Sequence, residues 1–117
     1  MSKQEIKDFC EKFYNALDAG DADTASALFK DGTKIYLWDG KTFETQAEFK
    51  AWFTKLHSTS DNAKRYITSL EVDGDKAFVK VVLKANVNGE EKTVELTHIF
   101  EFEGDELVKV QVKIKPL

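Results

Sequence analysis

A single cysteine in 117 residues rules out an internal disulfide. Cys10 stands on the apolar stripe of the first helical segment, where burial rather than reactivity is expected, and a reducing compartment follows. Positive charge is in short supply as well. Seventeen basic residues against 21 acidic ones leave a formal net charge of −4, which opposes a polyanionic partner, so no nucleic acid is expected. No apolar run is long enough to span a bilayer, and the amino terminus lacks the uninterrupted apolar stretch of a signal peptide. No membrane partner and a cytoplasmic location are therefore expected. The two histidines, His57 and His98, share no metal-ligand spacing with Cys10 or with each other. Gly40-Lys41-Thr42 resembles the end of a phosphate-binding loop, but Ile35 stands where that loop needs glycine. A strand-to-helix turn accounts for it. Linkers and internal repeats are missing too, and residues 1–117 read as one domain large enough for a real core.

What the chain does have is a long alternating segment. From Arg65 to Lys115, four β-rich runs are separated by Asp73-Gly74, Asn88-Gly89 and Glu103-Gly104. Asn88-Gly89 suits a type I′ hairpin turn because both residues tolerate positive φ. A two-residue loop there pairs Val87 with Glu90, and counting outward pairs Leu83 with Val94, Val81 with Leu96 and Val79 with His98. Paired residues share a face. His98 therefore points where the valines point. Counting back through Asp73-Gly74 sets Tyr66, Thr68 and Leu70 on that face. A three-residue loop at Glu103-Gly104-Asp105 adds Val108, Val110, Val112 and Ile114. The opposite face alternates lysine, glutamate and threonine, interrupted by Phe78, Val82, Ile99 and Leu107.

Upstream the period lengthens to that of a helix. Ile6, Phe9, Cys10, Phe13 and Leu17 form a stripe that Gly20 ends. Asp21 or Asp23 caps a short second helix ending at Asp31-Gly32, and Ile35 to Trp38 is a first strand. Thr45 with Glu48 makes a capping box for a third helix, with Phe49, Trp52, Phe53 and Leu56 inside. The order is α-α-β-α-β-β-β-β, an α+β chain with an antiparallel sheet. Aromatic residues at helical spacing are mostly core packing, and some of these could also line a ligand cavity.

His98, flanked by Val79, Leu96, Phe100 and Val110, needs a hydrogen-bond partner, with Tyr66, Thr68 and Tyr14 as candidates. It is either a satisfied core histidine or a ligand-orienting acid-base at a pocket floor. Desolvation is expected to lower its pKa and keep it neutral. Asp39, at the end of the first strand, is either an acid at the pocket mouth or a turn residue before Gly40.

The run Phe13-Tyr14-Asn15-Ala16-Leu17-Asp18-Ala19-Gly20-Asp21, followed by Ala27-Leu28-Phe29 and a strand, resembles the opening of the nuclear transport factor 2-like superfamily. The SnoaL-like and ketosteroid isomerase-like branches are closest, and the resemblance extends through Thr97-His98-Ile99-Phe100-Glu101-Phe102-Glu103-Gly104. It implies a cone, a strongly bent antiparallel sheet wrapped around helices, with an internal pocket for a small hydrophobic molecule. It also implies a homodimer through the outer sheet face, here through Phe78, Val82, Ile99 and Leu107. The isomerase's catalytic positions depart from the pattern: its general base falls on Leu37, its oxyanion tyrosine on Phe13 and its protonated aspartic acid on His98. The expected pocket comprises His98, Phe13, Leu37, Tyr66, Thr68, Val79, Phe100 and Val110. Two functions remain open. One is cofactor-independent acid-base chemistry of the isomerase, dehydratase or cyclase type, with His98 and Asp39 as catalytic groups and neither metal nor organic cofactor required. The other is a non-catalytic ligand-binding or interaction module.

Overall fold

The computed structural model describes residues 2–117. Helix α1 (Lys3–Asp18) starts at a reciprocal cap in which Ser2 Oγ accepts from the Glu5 N–H at 3.1 Å and the Glu5 carboxylate accepts from the Ser2 N–H at 3.0 Å. Its stripe of Ile6, Cys10, Phe13 and Leu17 is buried as the spacing demands. Asp21 caps α2 (Ala22–Ser26) by accepting from the Thr24 N–H. Strands β1 (Lys34–Tyr36) and β2 (Thr42–Phe43) flank a tight turn, and Thr45 then caps α3 (Gln46–Ser58). Thr45 Oγ1 accepts from the Glu48 N–H at 3.1 Å, while the Glu48 carboxylate turns back to the Glu44 N–H rather than to Thr45's own. Four long strands complete the chain: β3 (Ser60–Asp73), β4 (Lys76–Val87), β5 (Glu90–Glu103) and β6 (Glu106–Pro116). Among the described residues no helix is long and apolar enough to cross a membrane.

The sheet runs β2-β1-β6-β5-β4-β3. At Asn88-Gly89 both residues have positive φ, 54° and 79°, and the pairing that follows includes Val87 with Glu90, Val81 with Leu96 and Val79 with His98. His98 is accordingly buried beside the valines. The helices cover this inner face, where Phe9 of α1 meets Phe100 edge-on at 5.8 Å and Phe49 of α3 meets Phe13 at 6.2 Å.

Three departures from the counted register matter. On β3, Ile67 pairs with Val81 and Ser69 with Lys80, so Thr68 is an extra residue in a β-bulge. The parity beyond it is reversed: Arg65 takes the inner position opposite Leu83, and Tyr66 pairs with Val82 on the outer face. On β6, Glu103 pairs with Glu106 across a two-residue turn, and Val108 is the extra residue between the Phe102–Leu107 and Glu101–Lys109 pairs. Leu107 therefore faces inward, not outward. Val110, Val112 and Ile114 keep the expected face because their partners shift by an even number, two. The outer apolar patch expected to carry a dimer thus loses Leu107 and retains Phe78, Val82 and Ile99, joined by Tyr66.

The sheet is also not wholly antiparallel. Lys34, Ile35 and Tyr36 run parallel to Lys109, Val110 and Gln111. No hairpin links β1 to β6, so no local turn dictates their relative direction. Strand β2, two residues long, was beyond the reach of any alternation pattern.

Gly20 has φ +70°, and a Cβ there would lie 2.5 Å from His57 Nε2, so the ends of α1 and α3 touch through a backbone with no side chain. Gly20→Ala should cost about 1–2 kcal/mol for the left-handed conformation and about 1 kcal/mol or more for the displaced imidazole. In a His57→Ala background only the first part should persist. Urea denaturation of the four proteins checks this, and an equal cost in both backgrounds would contradict the steric component.

Candidate functional site

Between the helices and the inner face of the sheet lies a cavity of about 190 Å³. Its walls are almost wholly apolar. Phe9, Phe13 and Leu17 come from α1, Phe49, Trp52, Phe53 and Leu56 from α3, and Leu96, Phe100, Val110, Val112 and Ile114 from the sheet. Among the described residues only two titratable side chains reach it, His98 and Arg65. Each is held by α1.

His98 Nδ1 lies 2.9 Å from the Tyr14 hydroxyl in a fully buried hydrogen bond. Of the three partners considered from sequence, this is the one that forms. The Tyr14 phenol is pushed well above its ordinary pKa by desolvation, so it keeps its proton at any ordinary pH. His98 is its one hydrogen-bond partner among the described residues. The phenol therefore donates to Nδ1, which makes Nδ1 the acceptor nitrogen and places the imidazole hydrogen on Nε2. No buried side-chain nitrogen or oxygen among the described residues is both sealed and unpartnered. Nε2, with no protein partner, is thus open to the cavity. The ring is stacked on Phe100 at 5.6 Å and meets Phe13 edge-on at 6.4 Å, which fixes its plane. Burial, with a smaller contribution from the Arg65 charge, lowers its pKa from 6.5 to about 3. It is neutral at physiological pH.

Arg65 is the residue that alternation missed. Its Nη1 donates to Asp18 Oδ1 at 2.9 Å, and its backbone N–H donates to Asp18 Oδ2 at 3.2 Å. The side chain is 7% exposed and that of Asp18 is 21% exposed, so this ion pair is screened far less than a surface one. Desolvation lowers the Arg65 pKa while Asp18 supports the charged form, and a guanidinium stays protonated in proteins. One signal for the pair was present in the sequence. Asp18 sits in the last turn of α1, the wrong end of the helix dipole for a carboxylate, and no basic residue in that turn offsets it. Tyr14 and Asp18 are also four residues apart, on one face of the helix.

Of the other expected site residues, Phe13, Leu37, Phe100 and Val110 line the cavity. Val79 is fully buried in the core behind it. Tyr66 is 46% exposed on the outer face, under the Lys64 ammonium. Thr68 occupies the bulge with its hydroxyl directed to the Lys80 carbonyl. Asp39 lies outside the cavity wall, where its carboxylate accepts from the Lys41 N–H at 3.1 Å and pairs with the Lys41 ammonium. That is turn chemistry. Cys10, buried in the core, has its thiol pushed up to about 12 and is no nucleophile. No group of three or more potential metal ligands occurs among the described residues.

Because the folded state excludes a proton that the unfolded chain binds below about pH 6.5, His98 contributes an acid-sensitive term to stability. The sign is that of a depressed histidine: the cost is absent above pH 6.5 and grows as the pH falls toward 3, by about 1.4 kcal/mol per unit. His98→Gln keeps a hydrogen-bonding side chain and removes the titration. Urea denaturation across that range should show the difference between wild type and variant sloping by one proton, and parallel profiles would contradict it.

Comparison with known proteins places this geometry. No curated protein matches the chain in sequence. PrhC from Penicillium brasilianum superposes with a TM-score of 0.84 at 17% identity, over 97% of this chain and 83% of that one. A hypothetical protein with a ketosteroid isomerase-like fold from Catenulispora acidiphila, in complex with trimethylamine, gives 0.81 at 16% identity over 90% and 83%. An LEH-like epoxide hydrolase from M. tuberculosis gives 0.75 at 14% identity over 92% and 80%. At these identities the likeness is one of fold. The family model for the SnoaL-like domain matches residues 10–110, and the chain belongs to that family.

Proposed function

We propose that the cavity binds a small, largely apolar, planar molecule and that His98 and Arg65 act on a polar group at its edge. The observation that carries this reading is a neutral imidazole whose Nε2 is open to an otherwise apolar space. A core histidine with no task would be expected to have both nitrogens satisfied or replaced by an apolar residue. An N–H donor and a guanidinium facing the same dry cavity favour a ligand oxygen or nitrogen that gains negative charge, such as the oxygen of a carbonyl compound becoming its enolate. With a pKa near 3, His98 is a poor base in the empty protein. It acts instead as a hydrogen-bond donor through Nε2–H. The chemistry is cofactor-independent acid-base catalysis of the isomerase, dehydratase or cyclase type.

A second reading has its own observation. Among the described residues no carboxylate lines the cavity, and Leu37, onto which the sequence resemblance maps the isomerase's base, is one of its lining residues. A site that binds and polarises a ligand without abstracting a proton from carbon matches that composition.

Thermal-shift screening of small aromatic ketones separates pocket from core, because a ligand that binds only the folded state raises its melting temperature. For a ketone that binds, His98→Ala should weaken affinity by about 1–3 kcal/mol with a smaller effect on ligands lacking the carbonyl. Deuterium uptake from solvent at the carbon beside the carbonyl, followed by NMR, then distinguishes turnover from binding. A His98→Ala protein that loses stability but binds every ligand as well as wild type would refute the role of His98.

A further inference from the structure

We propose that Trp38 determines the size of ligand this cavity accepts, its indole forming one lip of the mouth. The inference rests on reading the cavity as a ligand pocket. Three cavity-lining apolar residues are substantially exposed: Trp38 at 43%, and Leu56 and Ile114 at 38% each. They mark where the cavity opens, and Trp38 supplies the one aromatic ring among them.

Its placement is rigid for reasons legible in the turn that carries it. The Leu37 N–H donates to the Lys41 carbonyl at 2.9 Å, the Gly40 N–H donates to the Leu37 carbonyl at 3.2 Å, and Asp39 accepts from the Lys41 N–H. Gly40 supplies the left-handed φ of 89° that so short a reversal requires. The indole itself leans edge-on against Trp52 at 6.4 Å, and Trp52 is wedged against Phe43 at 5.5 Å and Phe49 at 6.0 Å. A large ring on a backbone that cannot swing, buttressed from behind by a second ring packed into the core, sets a fixed limit.

The volume gives that limit a scale. An engineered apolar cavity of about 150 Å³ in another protein takes up benzene. The 190 Å³ here suits a ligand of one or two fused rings, and a longer ring system must extend through the mouth beside Trp38. Removing the indole opens the mouth and adds the space of a bicyclic ring. The class excluded by Trp38 is thus extended polycyclic aromatic molecules.

The test compares wild type, Trp38→Phe and Trp38→Ala with two fluorescent probes that share a phenolic hydroxyl and differ in length, 2-naphthol and 1-hydroxypyrene. Dissociation constants come from probe fluorescence, and thermal melts verify the fold of each variant. Trp38→Ala should shift the affinity ratio toward 1-hydroxypyrene by about tenfold, the effect of burying one added ring edge. Trp38→Phe should fall between; should Trp38→Ala not fold, the same ratio in Trp38→Phe decides, with a shift of several-fold expected. Probes that bind all variants with an unchanged ratio would overturn the role of Trp38 while leaving the pocket intact. If neither probe binds wild type, the pocket reading fails and takes this inference with it.

Discussion

Two side chains one helical turn apart on α1, Tyr14 and Asp18, hold the two titratable groups that the sheet turns toward the cavity. The first takes His98 Nδ1 and the second takes the Arg65 guanidinium and backbone N–H. In a space this dry either sheet residue alone would carry a desolvation penalty, about 3–5 kcal/mol for Arg65 without its ion-pair partner and about 1–3 kcal/mol for His98 without its hydrogen bond. The position of α1 over the sheet is therefore specified twice, by its apolar stripe and by two polar contacts on β5 and β3 that tolerate no slip along the helix axis. The apolar stripe alone would permit a shift of one turn. The polar pairs would not.

That constraint sets the electrostatics of the cavity. Tyr14 donates a hydrogen bond to Nδ1 and so leaves Nε2–H as the group His98 shows to the interior, while burial keeps the ring uncharged. Arg65 retains its charge because Asp18 stays beside it, and that charge in turn makes protonation of His98 still less favourable. The outcome is an apolar wall that holds one ion-paired guanidinium and one neutral donor. The same groups in water would have little effect, because an effective dielectric several times lower is what gives them reach.

Much of this was legible in the sequence where local chemistry decided the matter. Asn88-Gly89 dictated the β4–β5 register and put His98 inside, Thr45 and Glu48 marked the start of α3, and the stripe of α1 was read with its buried residues. Failures came where one extra residue was absorbed. Thr68 and Val108 are unremarkable in composition, and a bulge leaves no alternation signal of its own, since hydrophobic residues stand on both sides of the slip. The first slip hid Arg65 and sent Tyr66 and Thr68 out of the site; the second exchanged Leu107 for Val108. The parallel edge was equally invisible, because the partners of β1 are contributed by the far end of the chain.

The bulge at Thr68 decides which β3 side chain enters the cavity wall. Without it, β3 would present Tyr66 to the interior, a neutral phenol, and Arg65 would lie among the lysines and glutamates of the outer face. With it, Arg65 enters a cavity wall that is otherwise apolar apart from His98, Leu37 among its lining residues. The guanidinium can lie there because Asp18 offsets its charge, and the bulge that turns Arg65 inward is the one that turns Tyr66 to the outer face. The framework is shared with proteins at 14–17% identity, and which β3 side chain reaches its cavity follows from where one strand accommodates a single additional residue.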